Sequence, residues 1–316
     1  FYLKLYHILV MREKEFPPEV DRLLIDEAQD LSAMALDIID RIPAKQKVLV
    51  GDQNQRIFSF MKLIDGFERY PDAEVLELSQ SFRVDNSYAP AIQAFIRKHL
   101  EPEAVFEGMT YPEQVKSKTK AYLTRTNASL IAKMIKLNKS NTPYHLASTT
   151  KVKQMFKLPL AVIYAKPNFL QRDHELRHFQ TLVDEWGRLH DKVKESQGLY
   201  TFLMNHVNID MATLSAIKLV ISFSKEEIIE AYETAESHKK TACDLQLMTA
   251  HTSKGSTRDE VELDPDMDKA VMEALSTKFK GTEEERRAEL CLYFVSITRH
   301  KYKLTNAKYL EEFMKW

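Results

Sequence analysis

Glycine is scarce in this chain, with seven in 316 residues, about 2% where about 7% is ordinary. None of the seven is followed by Lys. The string GxxxxGK[ST], whose backbone amides cradle a triphosphate and whose lysine neutralises it, therefore does not occur in these residues. "SKGST" at 253–257 has the letters in the wrong order. Cysteine is almost missing as well. Cys243 and Cys291 stand far apart with no CxxC spacing, which argues against a disulfide framework or a cysteine-rich zinc site and for a reducing compartment. No charge of one sign dominates: the formal net charge is −1, so no global field draws in a polyanion, and any nucleic-acid contact must come from a local groove. The longest apolar run, "LPLAVIYA" at 158–165, is too short to cross a bilayer, and the first residues lack the order of a secretory signal. The expectation is a soluble intracellular chain, in the cytoplasm or nucleoid, or the nucleus of a eukaryote, with no membrane partner.

What is present is ordinary for a globular protein, at 44% hydrophobic and 29% charged residues. The length suggests about two domains. "RLLID" (22–26) and "KVLVG" (47–51) are continuous apolar runs ending in acidic or turn residues. Between them "SAMALDIIDRI" has helical spacing. This is the pattern of buried parallel strands joined by a crossover helix. "EVLEL" (74–78) and "KAYLT" (120–124) are further strand candidates around the helical "SYAPAIQAFIRKHL". From about 150 to 240 the character becomes helical: "HELRHFQTLVDEWGRLHDKV", "MATLSAIKLVISF" and "SKEEIIEAYETA", the last with Ser224 and Glu227 at capping-box spacing. "LQLMTA" (245–250) returns to strand, Thr282 and Glu285 repeat the box before a long helix, and "YKLTNA" suits a last strand.

In such open α/β sheets, ligands bind outside the carboxyl ends of the strands, and "RLLIDEAQDL" (22–31) aims Asp26 and Glu27 out of one such end. An Asp there suits Mg²⁺, which takes carboxylate and phosphate oxygens, and an adjacent Glu suits activation of water. Acidic residues opening a helix would explain "DE" equally well. The second strand runs into "VLVGDQNQRIFSF" (48–60), where Gln55 is in reach of a γ-phosphate. "LELSQSFRV" (76–84) puts Phe82 and Arg83 just past a third strand, and "LYFVSITRHK" carries Arg299. Two arginines from separate segments suit a transferring phosphoryl group, because guanidinium stays cationic and forks onto phosphate oxygens.

These strings, in this order, resemble the motifs of UvrD/Rep/PcrA-like superfamily 1 DNA helicases, and most of all the branch of F-box DNA helicases. "LLIDEAQD", "VGDQNQRIFSF", "LSQSFR", "YLTRTNASL", "TAHTSKG" and "YFVSITR" correspond to successive family motifs. The resemblance implies RecA-like P-loop NTPase domains, the first incomplete, with a helical insertion in the second. Residues 1–73 would be the C-terminal part of the first domain, 74–150 the first part of the second, 151–243 the helical insertion and 244–316 the remainder. It implies ATP and Mg²⁺ as cofactors, with Asp26 holding Mg²⁺, Glu27 activating water, Gln55 sensing the γ-phosphate, and Arg83 and Arg299 neutralising charge. Phe82 would stack on adenine and Glu289 would lie near the ribose. For single-stranded DNA or a single/double-strand junction, Phe60 occupies a base-stacking position and Phe58 is a second candidate, the other reading being that the two are alternating core residues of a strand; His251, Thr252 and Ser253 would touch the strand backbone. Arg125 and Asn127 would be structural or DNA-adjacent. The implied activity is ATP-driven movement along one strand, 3′ to 5′, with DNA unwinding. The helical insertion leaves room for a protein partner.

Several positions depart from the family pattern. With Phe at position 1 and no phosphate loop, the expectation is that part of the first domain lies upstream; the alternative is an ATPase-inactive relative that binds DNA or protein. Met61 replaces an arginine that commonly follows the stacking aromatic, and Thr257 stands where a nucleotide-contacting Glu is usual. "HELRH" (174–178) matches HExxH of zinc proteases, but Thr181 breaks the metzincin continuation and the polar flanks suit a solvated helix face better.

Overall fold

The computed structural model describes residues 2–58, 61, 63–112, 118–148, 152–164, 188, 211–237 and 243–314. The chain forms two compact units: Phe1–Glu113 with Asp268–Arg299 and Lys308–Trp316, and Gln114–Met267 with His300–Ala307.

In the first unit, β1 (Val20–Ile25) and β2 (Ala44–Leu49) pair in parallel with Ile25 opposite Leu49. The crossover between them is the helix Ala33–Arg41, capped by Ser32, whose hydroxyl accepts the Ala35 N–H at 3.2 Å. The two strands thus end side by side, and Asp26 and Gly51 follow those ends. The expectation that β1 is buried on both faces does not hold. Ile25 is buried, but Leu24 is 72% exposed: among the described residues β1 and β2 pair only with each other.

"EVLEL" is not a strand either. Val75, Leu76 and Leu78 are 80–89% exposed, and the ladder forms further on, where β3 (Gln80–Asp85) runs parallel to β4 (Glu107–Met109). A segment becomes a strand only where a neighbour supplies hydrogen bonds, and Glu107 N–H bonds to Ser79 O at 2.9 Å, not to the apolar run. Phe82 and Arg83 accordingly lie within a strand, not just past one.

The helix Ala89–His99 buries Ile92, Phe95 and Ile96. The helix Glu283–Ile297 starts on the expected capping box, in which Thr282 N–H donates to Glu285 Oε2 at 2.7 Å and Glu285 N–H to Thr282 Oγ1 at 3.1 Å. Its residues from Leu290 to Ile297 are all buried, so it is apolar all round there instead of amphipathic. Asp268 ties down the end of the chain by accepting from the Tyr293 hydroxyl (2.9 Å) and the Lys308 and Tyr309 amides (both 3.1 Å).

The second unit holds a five-stranded parallel sheet in the order β6-β7-β5-β8-β9, with β5 Lys120–Thr124, β6 His145–Leu146, β7 Leu245–Thr249, β8 Arg258–Leu263 and β9 His300–Thr305. Strands as far apart in sequence as β5 and β7 are neighbours, as crossover connections require. Ile131 and Met134 of the helix Asn127–Lys139, Phe156 of Val152–Tyr164, Leu219 of Met211–Ser222 and Ile228 of Lys225–Ser237 pack into one core with Leu247. The Ser224–Glu227 box forms as expected, at 2.7 and 3.2 Å. Most of the segment "HELRHFQTLVDEWGRLHDKV", the HELRH string included, lies outside the described residues. Among the described residues no helix is long and apolar enough to cross a membrane.

Candidate nucleotide and nucleic-acid sites

The chain turns sharply after β1. Glu27 sits in the left-handed region, at φ 51° and ψ 41°, a conformation that costs a residue with a Cβ on the order of 1 kcal/mol and that recurs where function needs a fixed direction. The Glu27 amide donates to Asp26 Oδ1 at 2.9 Å. Both carboxylates are exposed, and Glu27 is aimed by its neighbour: the buried Gln29 donates its Nε2–H to Glu27 Oε2 at 2.5 Å. The other end of that amide accepts the Asp52 N–H at 3.1 Å, so Gln29 couples the turn after β1 to the turn after β2.

The second turn continues the chain of contacts. Asp52 caps the short 3-10 turn Gln53–Gln55, with Oδ1 accepting the Asn54 N–H at 2.8 Å, and its Oδ2 accepts from Gln55 Nε2 at 2.8 Å. Burial raises the Asp52 carboxyl above its ordinary range, against the pull of these hydrogen bonds. Gln55 then turns its Oε1 to Arg299, whose Nη2 donates at 3.5 Å.

Arg299 is 2% exposed. It follows the Glu283–Ile297 helix and is locked by that helix's end, donating Nε–H to Val295 O at 2.7 Å and Nη2–H to Thr298 Oγ1 at 2.9 Å. Arg83, half-buried on β3, donates Nη1–H to Thr298 O at 3.4 Å. Burial lowers the affinity of the Arg299 guanidinium for its proton, Arg83 lowers it further, and Asp52 and Glu27 act the other way. Burial also lowers that of Arg83. Both remain protonated at neutral pH. Two neighbouring cations with one of them buried make a site that an incoming polyanion stabilises.

The first unit thus brings Glu27, Gln55, Arg83 and Arg299 into one connected cluster with Asp26 at its edge. Sequence reasoning missed the members that join it, Gln29 and Asp52. Both lie within those motif strings, but a string does not show that an amide two residues after the carboxylate pair reaches across to the next strand's turn. Phe82 is 77% exposed on β3, open to a flat partner. Glu289 is half-buried on the Glu283–Ile297 helix.

Among the described residues, Asp26 is the carboxylate placed to hold Mg²⁺. Asp26 Oδ1 takes the Glu27 amide, which leaves Oδ2 as a ligand, and no group of three His, Cys, Asp or Glu able to hold a metal occurs among the described residues. A single carboxylate fits Mg²⁺, which draws its remaining ligands from water and phosphate.

The residues expected at DNA are spread further. Phe58 is half-buried and lies in no strand. Phe60 lies outside the described residues. In the second unit, the short helix Ala250–Ser253 follows β7 and is capped by Thr249. Thr252 is exposed, His251 half-buried and Ser253 buried, the Ser253 hydroxyl donating to Ala250 O at 2.6 Å. Thr252 and Thr249 share with Asn127 the wall of a cavity of about 130 Å³ at the carboxyl ends of β6 and β7. Arg125 and Thr126 are anchored through their backbone, their amides donating to the Asp266 carboxylate at 2.9 and 3.2 Å.

A mixed α/β chain with parallel sheets and its carboxylates at the strand ends fits a helicase fold. The family described as UvrD/REP helicase N-terminal domain matches residues 10–62. The chain is 26% identical, over 96% of its length, to F-box DNA helicase protein 1 of Schizosaccharomyces pombe. It spans 35% of that relative's length. The two matches support a UvrD-like helicase, in agreement with the ordered motifs.

Proposed function

We propose that this chain is part of an ATP-dependent motor that moves along single-stranded DNA and unwinds duplex, in the 3′ to 5′ direction, and that it is built on RecA-like domains of which the first is incomplete. The observation that carries the proposal is the convergence of Glu27, Gln55, Arg83 and Arg299 through the Gln29–Asp52 bridge. In this reading Glu27, held by Gln29, takes the proton of the attacking water. Gln55 reports the γ-phosphate to Arg299, and the two guanidinium groups neutralise the charge that develops as the phosphoryl group transfers. Asp26 would hold Mg²⁺, which supplies charge neutralisation on the triphosphate. Phe82 offers its exposed ring to the adenine. Thr252 and His251 would touch the strand backbone, and Phe58 and Phe60 are the candidates for base stacking, worth about 1–3 kcal/mol per base.

Hydrolysis needs a phosphate-cradling loop, and no GxxxxGK[ST] string occurs within the 316 residues. The test therefore uses the full-length protein. Glu27→Gln keeps the hydrogen-bonding shape and removes the base. ATP hydrolysis stimulated by single-stranded DNA should fall by about 10²–10⁴-fold, with nucleotide binding retained. Unchanged hydrolysis would remove Glu27 from the mechanism.

A further inference from the structure

Next to Gln55, the side chain of Asn54 does something that neither the motif reading nor the phosphate chemistry requires. It is 7% exposed and is held from two sides. Its Nδ2 donates to Glu101 Oε2 at 2.9 Å, just past the helix Ala89–His99. Its Oδ1 accepts from Arg287 Nη2 at 3.3 Å. Arg287 places a second donor, Nη1, on Leu100 O at 3.1 Å. One turn further along the same helix, the Cys291 thiol lies 4.0 Å from Gln53 O. Residues four apart share a helix face, so one face of the Glu283–Ile297 helix grips the Gln53–Gln55 turn, and the end of that helix carries Arg299 to the Gln55 amide. The charged neighbours fix the orientation of the Asn54 amide, since its oxygen must meet the guanidinium and its nitrogen the carboxylate.

We propose that Asn54 is a positioning residue that ties the γ-phosphate-sensing turn to the arginine-bearing helix, with Glu101 and Arg287 as its anchors. This rests on the hydrolysis reading above. Without the Asn54 amide, the turn and the helix lose their shared bond, and the Gln55–Arg299 contact is no longer held in register. Nucleotide binding itself does not depend on it.

The test is steady-state ATP hydrolysis by the full-length protein at saturating single-stranded DNA. Asn54→Leu, similar in shape but without the amide, should lower kcat by about ten- to a hundredfold, as a small misplacement of reacting groups does, while KM for ATP stays within about twofold. Asn54→Asp sets a carboxylate against Glu101 and should lower kcat as well. Adding Glu101→Gln to Asn54→Asp should restore it, because the new carboxylate then accepts both from Arg287 and from the side-chain amide introduced on the facing loop. Wild-type kcat in Asn54→Leu, a change confined to KM, or no recovery in the paired variant would overturn the assignment while leaving the hydrolysis reading intact. A full-length protein with no DNA-stimulated hydrolysis would remove that reading and this one together.

Discussion

Arg299 and Gln55 are 244 positions apart and meet through one hydrogen bond, from Nη2 to Oε1, at 3.5 Å. The bond is long, yet both partners are fixed independently. Arg299 is held by the Val295 carbonyl at 2.7 Å and Gln55 by the Asp52 carboxylate at 2.8 Å. The contact is thus a junction between two rigid pieces, and a phosphate placed there would act on both.

Arg299→Lys keeps the charge but cannot serve Val295, Thr298 and Gln55 together, because an ammonium lacks the planar fork of guanidinium. DNA-stimulated kcat of the full-length protein should fall by about 10³-fold or more, as loss of an arginine finger does. A reduction below tenfold in a hydrolysis assay would assign Arg299 a packing role alone.

Gly51→Ala tests the bridge between the two turns. A Cβ at Gly51 would run into Gln29 Oε1 and lie 3.0 Å from the Ala28 nitrogen. Gln29 would have to release Asp52. The expected cost is about 1–3 kcal/mol in urea unfolding, together with a lower kcat, because Glu27 loses its aim. A variant with wild-type stability and rate would show that Gln29 orients nothing.

Asp266 gives a pH dependence of known sign. Burial, with help from the Asp264 charge, raises its carboxyl from 3.8 to about 6, against hydrogen bonds from Ser129, Arg125 and Thr126. The raised value means that the folded chain favours the protonated form. The stability this group contributes is full below pH 3.8 and is lost as the pH rises through about 6. Urea midpoints measured from pH 4 to 7 should therefore fall more for the wild type than for Asp266→Asn. Parallel curves would contradict the assignment.

Thr252 and Ser253 should separate in DNA binding. Thr252 is exposed on the cavity wall, its hydroxyl 3.0 Å from the Thr249 hydroxyl, whereas the Ser253 hydroxyl is buried and donates to Ala250 O. Thr252→Ala should weaken single-stranded DNA binding by about 0.5–1.5 kcal/mol, the net worth of one hydrogen bond. Ser253→Ala should leave affinity unchanged and cost only stability. Fluorescence anisotropy with a labelled oligonucleotide reads both, and the opposite ranking would move the DNA path away from Thr252.

The sequence made much of this legible where local signals were strong. "KAYLT" is β5 to the residue, both capping boxes form as spaced, and the crossover helix after β1 begins one residue after its Ser32 cap. It misled where burial depends on partners. "EVLEL" looks like a strand by composition, but no ladder forms on it. "RDEVEL" carries too weak a strand signal to read, with only Val261 and Leu263 apolar, yet it is β8, paired on both sides. For the site, the motif residues are legible in the sequence, while Gln29, Asp52 and Asn54 as connectors are not. Amides that bridge two turns leave no periodicity or spacing to read.

The most direct test of the central claim is a crystal structure of the full-length protein with Mg²⁺ and a non-hydrolysable ATP analogue. The predicted result is a γ-phosphate within hydrogen-bonding distance of Gln55 and Arg299, with Asp26 on the metal. A nucleotide bound elsewhere, with Glu27, Gln55 and Arg299 out of reach of its phosphates, would contradict it.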